Sequence, residues 1–233
     1  VKPANMKIIH ITIFSLMALL NLVGPFLPLL VSQNWNWWEA WLYAVLCFAF
    51  FIITRTVVAR CHPDLPAERA RFLEHENTYG WDRILVTFMG VGGSIIPFAA
   101  GLDARFHESP QNSLLFKMLS LSALISGFAL GVSAMIENRF FYSMVRIQID
   151  RGHTPVSSGP YSRIRHPGYA GGILIYLATP VFLDSGWALL PALFLTIVLI
   201  VRTGLEDRLL KDGLGGYSGY ARKVRYRLLP WVW

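Results

Sequence analysis

Long stretches without charged residues recur along the chain and divide it into six apolar segments. The first, residues 8–38, contains no Asp, Glu, Lys or Arg, and the others span 40–54, 84–102, 118–136, 167–183 and 186–201. A helix needs about 20 apolar residues to cross the hydrocarbon core of a bilayer. The pattern therefore predicts an all-α, polytopic membrane bundle of about six transmembrane helices, and it leaves counts of five or seven open.

Two details of the pattern predict local structure. Only Asp184 and Ser185 separate the last two apolar segments, which predicts a tight helical hairpin. The run at 137–141, Glu-Asn-Arg-Phe-Phe, is predicted to continue the fourth helix along the membrane surface with its aromatic rings toward lipid. The chain is expected to divide into residues 1–136, with four spans, and residues 137–233, with the hairpin and a cytoplasmic tail.

Composition excludes an ordinary soluble domain. The 233 residues are 54% hydrophobic and only 15% charged, with a mean hydropathy of +0.45. Soluble domains contain about 25% charged residues, and the same numbers exclude disordered and collagen-like chains. The two cysteines offer at most one disulfide, which excludes a disulfide-rich scaffold.

The basic residues are distributed unevenly between the two sides of the predicted bundle. The chain has 21 Lys and Arg residues against 14 Asp and Glu, a net charge of +7. If the N-terminus is cytoplasmic, every Lys and Arg except Arg105 and Lys117 falls on the cytoplasmic side. Because cytoplasmic loops carry such an excess, both termini are predicted to be cytoplasmic. Anionic membrane lipid then accounts for the positive charge without nucleic acid.

Candidate chemistry is concentrated in the last third of the chain. Residues 148–169 are rich in hydrogen-bonding side chains, prolines and glycines, and they run directly into the fifth apolar segment. Arg202 and Glu206 are four residues apart, so on a helix they share one face. The simplest interpretation is a surface ion pair worth roughly 0.5 kcal/mol. Ionisable residues at the edge of a membrane span are more often functional, so both are candidate site residues.

Potential metal ligands give a weaker signal. His62, His75 and Glu76 lie in one predicted loop, but their spacing matches no metal-binding pattern. No metal site is predicted there.

Three ordered motifs carry a resemblance to a known family. They are the element GPYSRIRHPGY at 159–169, the element RTGLE at 202–206, and Tyr217 with Tyr220 ahead of Pro230. In this order they resemble the isoprenylcysteine carboxyl methyltransferases and their bacterial relatives, over roughly residues 138–233. Phospholipid N-methyltransferases share part of the pattern. This chain has Asp207 where the family usually has a second glutamate.

The resemblance implies an integral-membrane methyltransferase, in a bacterial inner membrane, that uses S-adenosylmethionine and releases S-adenosylhomocysteine. It implies that Arg202 is the catalytic and substrate-binding residue, holding the nucleophile of the acceptor. The residues implied to bind the cofactor on the cytoplasmic side are Gln148, the backbone of His153, Thr154, Pro155 and Val156, and Tyr161, His166, Pro167, Gly168, Tyr169 and Glu206. The role of Tyr217 and Tyr220 stays open, with packing of the tail over the site as the alternative.

The identity of the methyl acceptor is not fixed by these motifs. A lipophilic or prenylated carboxylate is favoured, because an arginine can orient a carboxylate without losing its own charge. A lipid amine and a small thiol are alternatives, as is a non-enzymatic membrane protein that kept the fold, since fold does not determine function.

The uneven distribution of positive charge predicts the topology directly. With Cys47 and Cys61 replaced, single cysteines at positions 32, 109 and 185 should react with an impermeant maleimide from outside the cell. Reaction of these sites only after the cytoplasmic face is exposed would contradict the predicted orientation.

Overall fold

The computed structural model describes residues 19–20, 22–63, 79–107 and 109–233. Within these ranges the regular secondary structure is entirely helical, with seven α-helices and no strands. In chain order they are α1 (Leu27–Ser32), α2 (Trp38–Cys61), α3 (Gly80–Phe106), α4 (Leu114–Glu137), α5 (Pro167–Phe182), α6 (Leu189–Gly213) and α7 (Tyr217–Lys223). The predicted all-α class is confirmed.

Helices α2, α3, α4 and α6 are long and apolar enough to cross a membrane. Helix α5 has 16 residues, so it is about 24 Å long. These helices confirm a polytopic membrane bundle. The total number of spans, the sides of the termini and the division at residue 137 stay predictions.

The first apolar segment is not one uninterrupted helix in its described part. Residues 1–18 and 21 lie outside the described residues. Beyond them, a 3-10 turn at Gly24–Phe26 leads into α1, which ends at Ser32 because Gln33 adopts a left-handed conformation with φ 56°. Pro25 and Pro28 lack the N–H groups that a continuous helix would use, which accounts for the irregular start.

Helix α6 continues well beyond the predicted segment 186–201 and ends at Gly213. Arg202 and Glu206 are therefore both on its regular part, about 6 Å apart along the helix axis. One rigid helix thus carries the residues predicted to serve the acceptor and the cofactor.

Two glycines allow α4 and α5 to pack closely. A Cβ atom added to Gly171 would lie 2.6 Å from the carbonyl oxygen of Gly127, and one added to Gly127 would lie 2.7 Å from the oxygen of Gly171. Small residues at such crossings permit close backbone approach in membrane bundles. The crossing brings the end of α4 close to the start of α5, where many candidate site residues lie.

The two basic residues predicted to lie outside the cytoplasm are both engaged within the protein. Buried Lys117 forms ion pairs with Glu39 and with Asp184, the latter at 2.6 Å. Arg105 donates from Nη1 to the carbonyl oxygen of Val31 at 3.0 Å. The Lys117 contacts join α2, α4 and the turn between α5 and α6 at this end of the bundle.

Asp103 is a second buried acid at the same end of the bundle. Its carboxylate accepts hydrogen bonds from the hydroxyls of Ser109 and Ser185, at 2.9 and 2.7 Å. Since Ser185 is itself buried, exposed Gly186 is the better position for a labelling cysteine in this turn.

Candidate active site

A cavity of about 520 Å³ is lined by the end of α4, the start of α5, α6 and α3. Its polar side is formed by the connection from α4 to α5, by the polar end of α6 and by α7. Its apolar side is formed by transmembrane helices, through Val86, Met89, Gly90, Met135, Gly172, Tyr176 and Leu199.

Eleven of the twelve predicted site residues line this cavity. They are Gln148, His153, Thr154, Pro155, Val156, Tyr161, His166, Gly168, Tyr169, Arg202 and Glu206. Pro167 is not among the lining residues; it is buried at the first position of α5. Proline is favoured there because the first helical N–H needs no intrahelical partner, so its position in the fold is explained by the helix start.

The connection after α4 turns inward instead of following the membrane surface. Helix α4 ends at Glu137, and the side chain of Asn138 accepts from the Phe140 N–H at 2.8 Å and donates to the Tyr161 hydroxyl at 3.2 Å. Phe140 is buried and Phe141 lines the cavity. The predicted extension of α4 with lipid-facing aromatic rings is therefore wrong, because the Asn138 side chain binds the backbone in place of a further helical turn.

Gln148 stabilises this connection from within. Its amide nitrogen donates to the carbonyl oxygen of Phe140 at 2.9 Å, and its side-chain oxygen accepts from Arg151 at 2.5 Å. The residue is 1% exposed. Both polar ends of Gln148 are thus already bound to the protein, which suits a role in shaping the cavity.

His153 packs over the ring of Phe140, with ring centroids 4.4 Å apart, and its Nδ1 accepts from the backbone N–H of Gln148 at 3.3 Å. Burial, together with the nearby positive charges of Arg151 and Arg146, lowers the pKa of His153 to about 4. Its imidazole is therefore neutral at pH 7, and because Nδ1 accepts from Gln148 the proton lies on Nε2, so the ring can donate one hydrogen bond but brings no positive charge to the cavity.

Three residues from α5 and α6 form the polar centre of the cavity. The Tyr169 hydroxyl donates to Glu206 Oε2 at 2.5 Å. The imidazole of His166 lies parallel to the Tyr169 ring, with centroids 5.7 Å apart. Buried His166 Nε2 is 3.7 Å from Asp207 and makes no hydrogen bond with any described residue. This nitrogen therefore faces the Asp207 carboxylate without completing a hydrogen bond to it.

Asp207 is fully buried and binds four side chains. Its carboxylate accepts two hydrogen bonds from Arg165, at 2.7 and 3.1 Å, and one each from Arg227 and Tyr217, at 2.9 and 3.1 Å. Lys211 adds an ion pair at 2.9 Å. The acid next to Glu206 therefore binds residues of the tail and of the turn before α5.

The tail is also fixed over the cavity by its backbone. The N–H groups of Arg165 and His166 donate to the carbonyl oxygens of Tyr226 and Arg227, both at 2.9 Å. The Tyr220 hydroxyl donates to the carbonyl oxygen of Tyr161 at 2.7 Å. Burial raises the pKa of Tyr217 and of Tyr220 well above its usual range, and Asp207 raises both further. The hydrogen bonds of Tyr217 to Asp207 and of Tyr220 to Tyr161 support the interpretation that both tyrosines pack the tail over the site.

Arg202 has a different partner from the one that its spacing suggests. The side chain is 3% exposed and binds Asp82 of α3, with Nε 2.8 Å from Oδ1. Its guanidinium lies 5.2 Å from the centre of the Tyr169 ring. The simple interpretation of a surface pair between Arg202 and Glu206 is wrong, because α3 supplies a buried carboxylate that the sequence spacing within α6 cannot reveal.

Potential metal ligands do not converge in the described part of the chain. No group of three or more His, Cys, Asp or Glu side chains in the described ranges could hold a metal ion. His62 contacts the carbonyl oxygen of Ile136 at 2.7 Å, whereas His75 and Glu76 lie outside the described residues.

The model of the isoprenylcysteine carboxyl methyltransferase family matches residues 118–212. Residues 118–212 form a domain of this family. The resemblance seen in the sequence motifs is confirmed over this range, and with the apolar helices it supports an integral-membrane methyltransferase. The matched domain contains all twelve predicted site residues, from Gln148 to Glu206.

Several residues with contacts at the site were not among the predicted site residues. Asp82 was not predicted as a site residue. Its position was a usable signal, because it is an acid at the start of an apolar helix. It lies one helical turn before Val86 and two turns before Met89, which both line the cavity. The contacts of Arg165 and Arg227 with Asp207 could not be predicted, because they join positions 20 to 42 residues apart.

The contacts of Asp207 predict that this acid holds the tail in place. Asp207→Asn keeps the shape but loses the charge that balances Arg165 and Arg227, and breaking a buried pair costs about 3–5 kcal/mol. We expect a lower melting temperature in detergent and faster trypsin cleavage at the exposed Arg222, Lys223 and Arg225. Asp212→Asn, an exposed acid on the same helix, is the control, and equal cleavage of both variants would contradict the role of Asp207.

Proposed function

We propose that this protein transfers a methyl group from S-adenosylmethionine to a lipophilic carboxylate within the membrane. The observation that carries the proposal is the order of residues along α6 on one side of the cavity. Apolar Leu199, cationic Arg202 and anionic Glu206 follow one another at intervals of about one helical turn. A lipid-like acceptor and a polar cofactor could thus meet at Arg202 from opposite ends of the cavity.

The polar side of the cavity suits S-adenosylmethionine. Glu206 receives the Tyr169 hydroxyl on one oxygen, and its second oxygen makes no hydrogen bond with any described residue, so it can accept from a ribose hydroxyl or an ammonium group. His166 Nε2 is buried without a hydrogen-bond partner among the described residues and can donate to a carboxylate. The aromatic rings of Tyr161 and Tyr169 offer packing surfaces for an adenine.

The apolar side suits a hydrocarbon chain. It is formed by residues of α3, α5 and α6, which are embedded in the apolar part of the bundle. An acceptor with a long apolar tail would place that tail among Val86, Met89, Tyr176 and Leu199, and its polar head would then reach Arg202. Burial of such a tail contributes about 0.8 kcal/mol per CH₂ group, which favours lipophilic acceptors.

The chemistry requires little beyond alignment. The bound cofactor supplies an electrophilic methyl group on a sulfonium. Transfer of that methyl group to an oxygen of an ionised carboxylate would form an O–CH₃ bond as the S–CH₃ bond broke, and sulfur would keep the electrons of the broken bond. No proton is transferred, so no general base is needed. The residues of the cavity would align the two reactants and exclude water, which accounts for large rate enhancements in other enzymes.

A lipid amine is the second candidate acceptor, and one contact favours it. Asp82 cancels the charge of Arg202, which reduces the attraction of this region for an anion. Glu206 then remains as a local negative charge that would favour an amine. Phosphatidylethanolamine is therefore the second acceptor to assay beside an S-prenylated N-acetylcysteine.

The proposed cofactor site predicts the effect of two substitutions. Glu206→Gln and His166→Ala each remove a charged or polar contact worth about 1.5–3 kcal/mol, so we expect the Kd for S-adenosylmethionine to rise about tenfold or more. Calorimetry of the purified variants, with circular dichroism as a check of folding, measures this. Asp212→Asn serves as control, and a Kd unchanged in both site variants would exclude this cofactor site.

The proposed role of Arg202 predicts a separate effect on turnover. In Arg202→Lys the single ammonium cannot bind Asp82 through two nitrogens and also reach an acceptor. We expect kcat with the prenylated carboxylate to fall at least tenfold, while the Kd for S-adenosylmethionine changes less than about twofold. Equal losses in both quantities would indicate that Arg202 serves the cofactor, and normal methylation of the amine alone would favour the second acceptor.

A further inference from the structure

We propose that Asp82 is a positioning residue that leaves Arg202 only one free edge with which to contact the acceptor. This inference rests on the proposed function and refines it. Asp82 lies on α3, outside the segment 118–212 that matches the family model. Its role is therefore drawn from the contacts of this chain.

Most of the hydrogen-bond donors of Arg202 are already engaged within the protein. Nε donates to Asp82 Oδ1 at 2.8 Å, and Nη2 donates to the carbonyl oxygen of Ser143 at 2.7 Å and lies 3.4 Å from Asp82 Oδ2. Among the described residues, the hydrogen-bond partner of Nη1 is the Met89 sulfur, at 3.7 Å, and a thioether is a weak acceptor. The Nε–Nη2 edge of the fork is thus occupied, and Nη1 remains for a ligand.

Asp82 is itself held in place. It is 0% exposed, and its Oδ2 accepts from the backbone N–H of Val145 at 2.5 Å. Asp82 therefore connects α3, the connection after α4 and the guanidinium on α6. Because the pair is held from three elements, the position of Arg202 Nη1 is fixed before any acceptor arrives, which is the condition for a preorganised site.

The free edge determines how a carboxylate can bind. An arginine with a free fork binds both oxygens of a carboxylate, and two strong hydrogen bonds make both oxygens poorer nucleophiles. Contact with Nη1 engages one oxygen and leaves the other able to attack a methyl group. Asp82 also cancels the charge of Arg202, so it weakens binding of the acceptor carboxylate in the ground state. At the same time it favours contact through one oxygen, the geometry in which the other oxygen can attack.

The variant Asp82→Asn separates these effects. Asparagine keeps the shape and one hydrogen bond but leaves Arg202 positive and freer to bind a carboxylate through two nitrogens. We expect kcat to fall at least tenfold with N-acetyl-S-farnesylcysteine, whereas the KM for this acid stays equal or falls. Without cofactor, calorimetry should show a severalfold increase in the preference of the protein for this acid over its methyl ester.

Asp103→Asn is the matched control, because Asp103 is a buried acid on the same helix that binds at the opposite end of the bundle. Any loss of stability common to buried acids of α3 should appear in both variants, but the acid-over-ester preference should change only in Asp82→Asn. The double variant Asp82→Asn with Arg202→Gln restores a neutral pair and should fold, yet it should lose the preference for the acid.

Each result bears on a different claim. An Asp82→Asn protein with unchanged kcat and unchanged acid preference would overturn the role of Asp82, and a double variant that keeps the preference would overturn the contact between Arg202 and the acid on which that role depends. A wild-type protein that binds S-adenosylmethionine but methylates neither the acid nor phosphatidylethanolamine would instead refute the proposed function. If Asp82→Asn alone fails to fold, Asp82→Glu, which keeps the charge but displaces the carboxylate, takes its place: a fall in kcat is expected, and an unchanged kcat would overturn the role of Asp82.

Discussion

The buried carboxylate of Asp207 joins three parts of the chain that are distant in sequence. It lies on α6, binds Arg165 from the turn before α5, and binds Arg227 and Tyr217 from the C-terminal tail. A buried charge is stable only when it is paired and hydrogen-bonded. Together with the backbone hydrogen bonds of Arg165 and His166, this acid holds the tail over the cavity and with it the position of His166.

The same requirement shapes the rest of the bundle. Arg202 is paired with Asp82 near the cavity, and Lys117 is paired with Glu39 and Asp184 at the opposite end. In each case the partners come from different elements of the fold, so the ion pairs help to determine which elements are neighbours as well as neutralising charge. Apolar packing alone specifies helix neighbours less strongly in a bilayer, where lipid is as apolar as the helix surfaces.

Much of the fold was predictable because it depends on local pattern. The apolar segments located α3 and α4 to within a few residues of their ends, and the motif at 159–169 indicated the start of α5 at Pro167. The inward turn at Asn138 was missed, because aromatic residues after a membrane helix fit a lipid-facing surface equally well. The pairing of Arg202 with Asp82 could not be inferred either, since 120 residues separate them and no periodicity connects two helices that meet only in the folded bundle.

The location of Asp82 has a consequence for experiments that recombine family members. The segment recognised by sequence similarity includes Arg202 but not its counter-ion, so a chimera that grafts only residues 118–212 onto other helices would bury an unpaired guanidinium. Removing one partner of a buried pair costs about 3–5 kcal/mol, a large share of the 5–15 kcal/mol that stabilises a typical protein. The smallest transplantable unit of this protein is therefore larger than the segment that matches the family model, and it has to include α3.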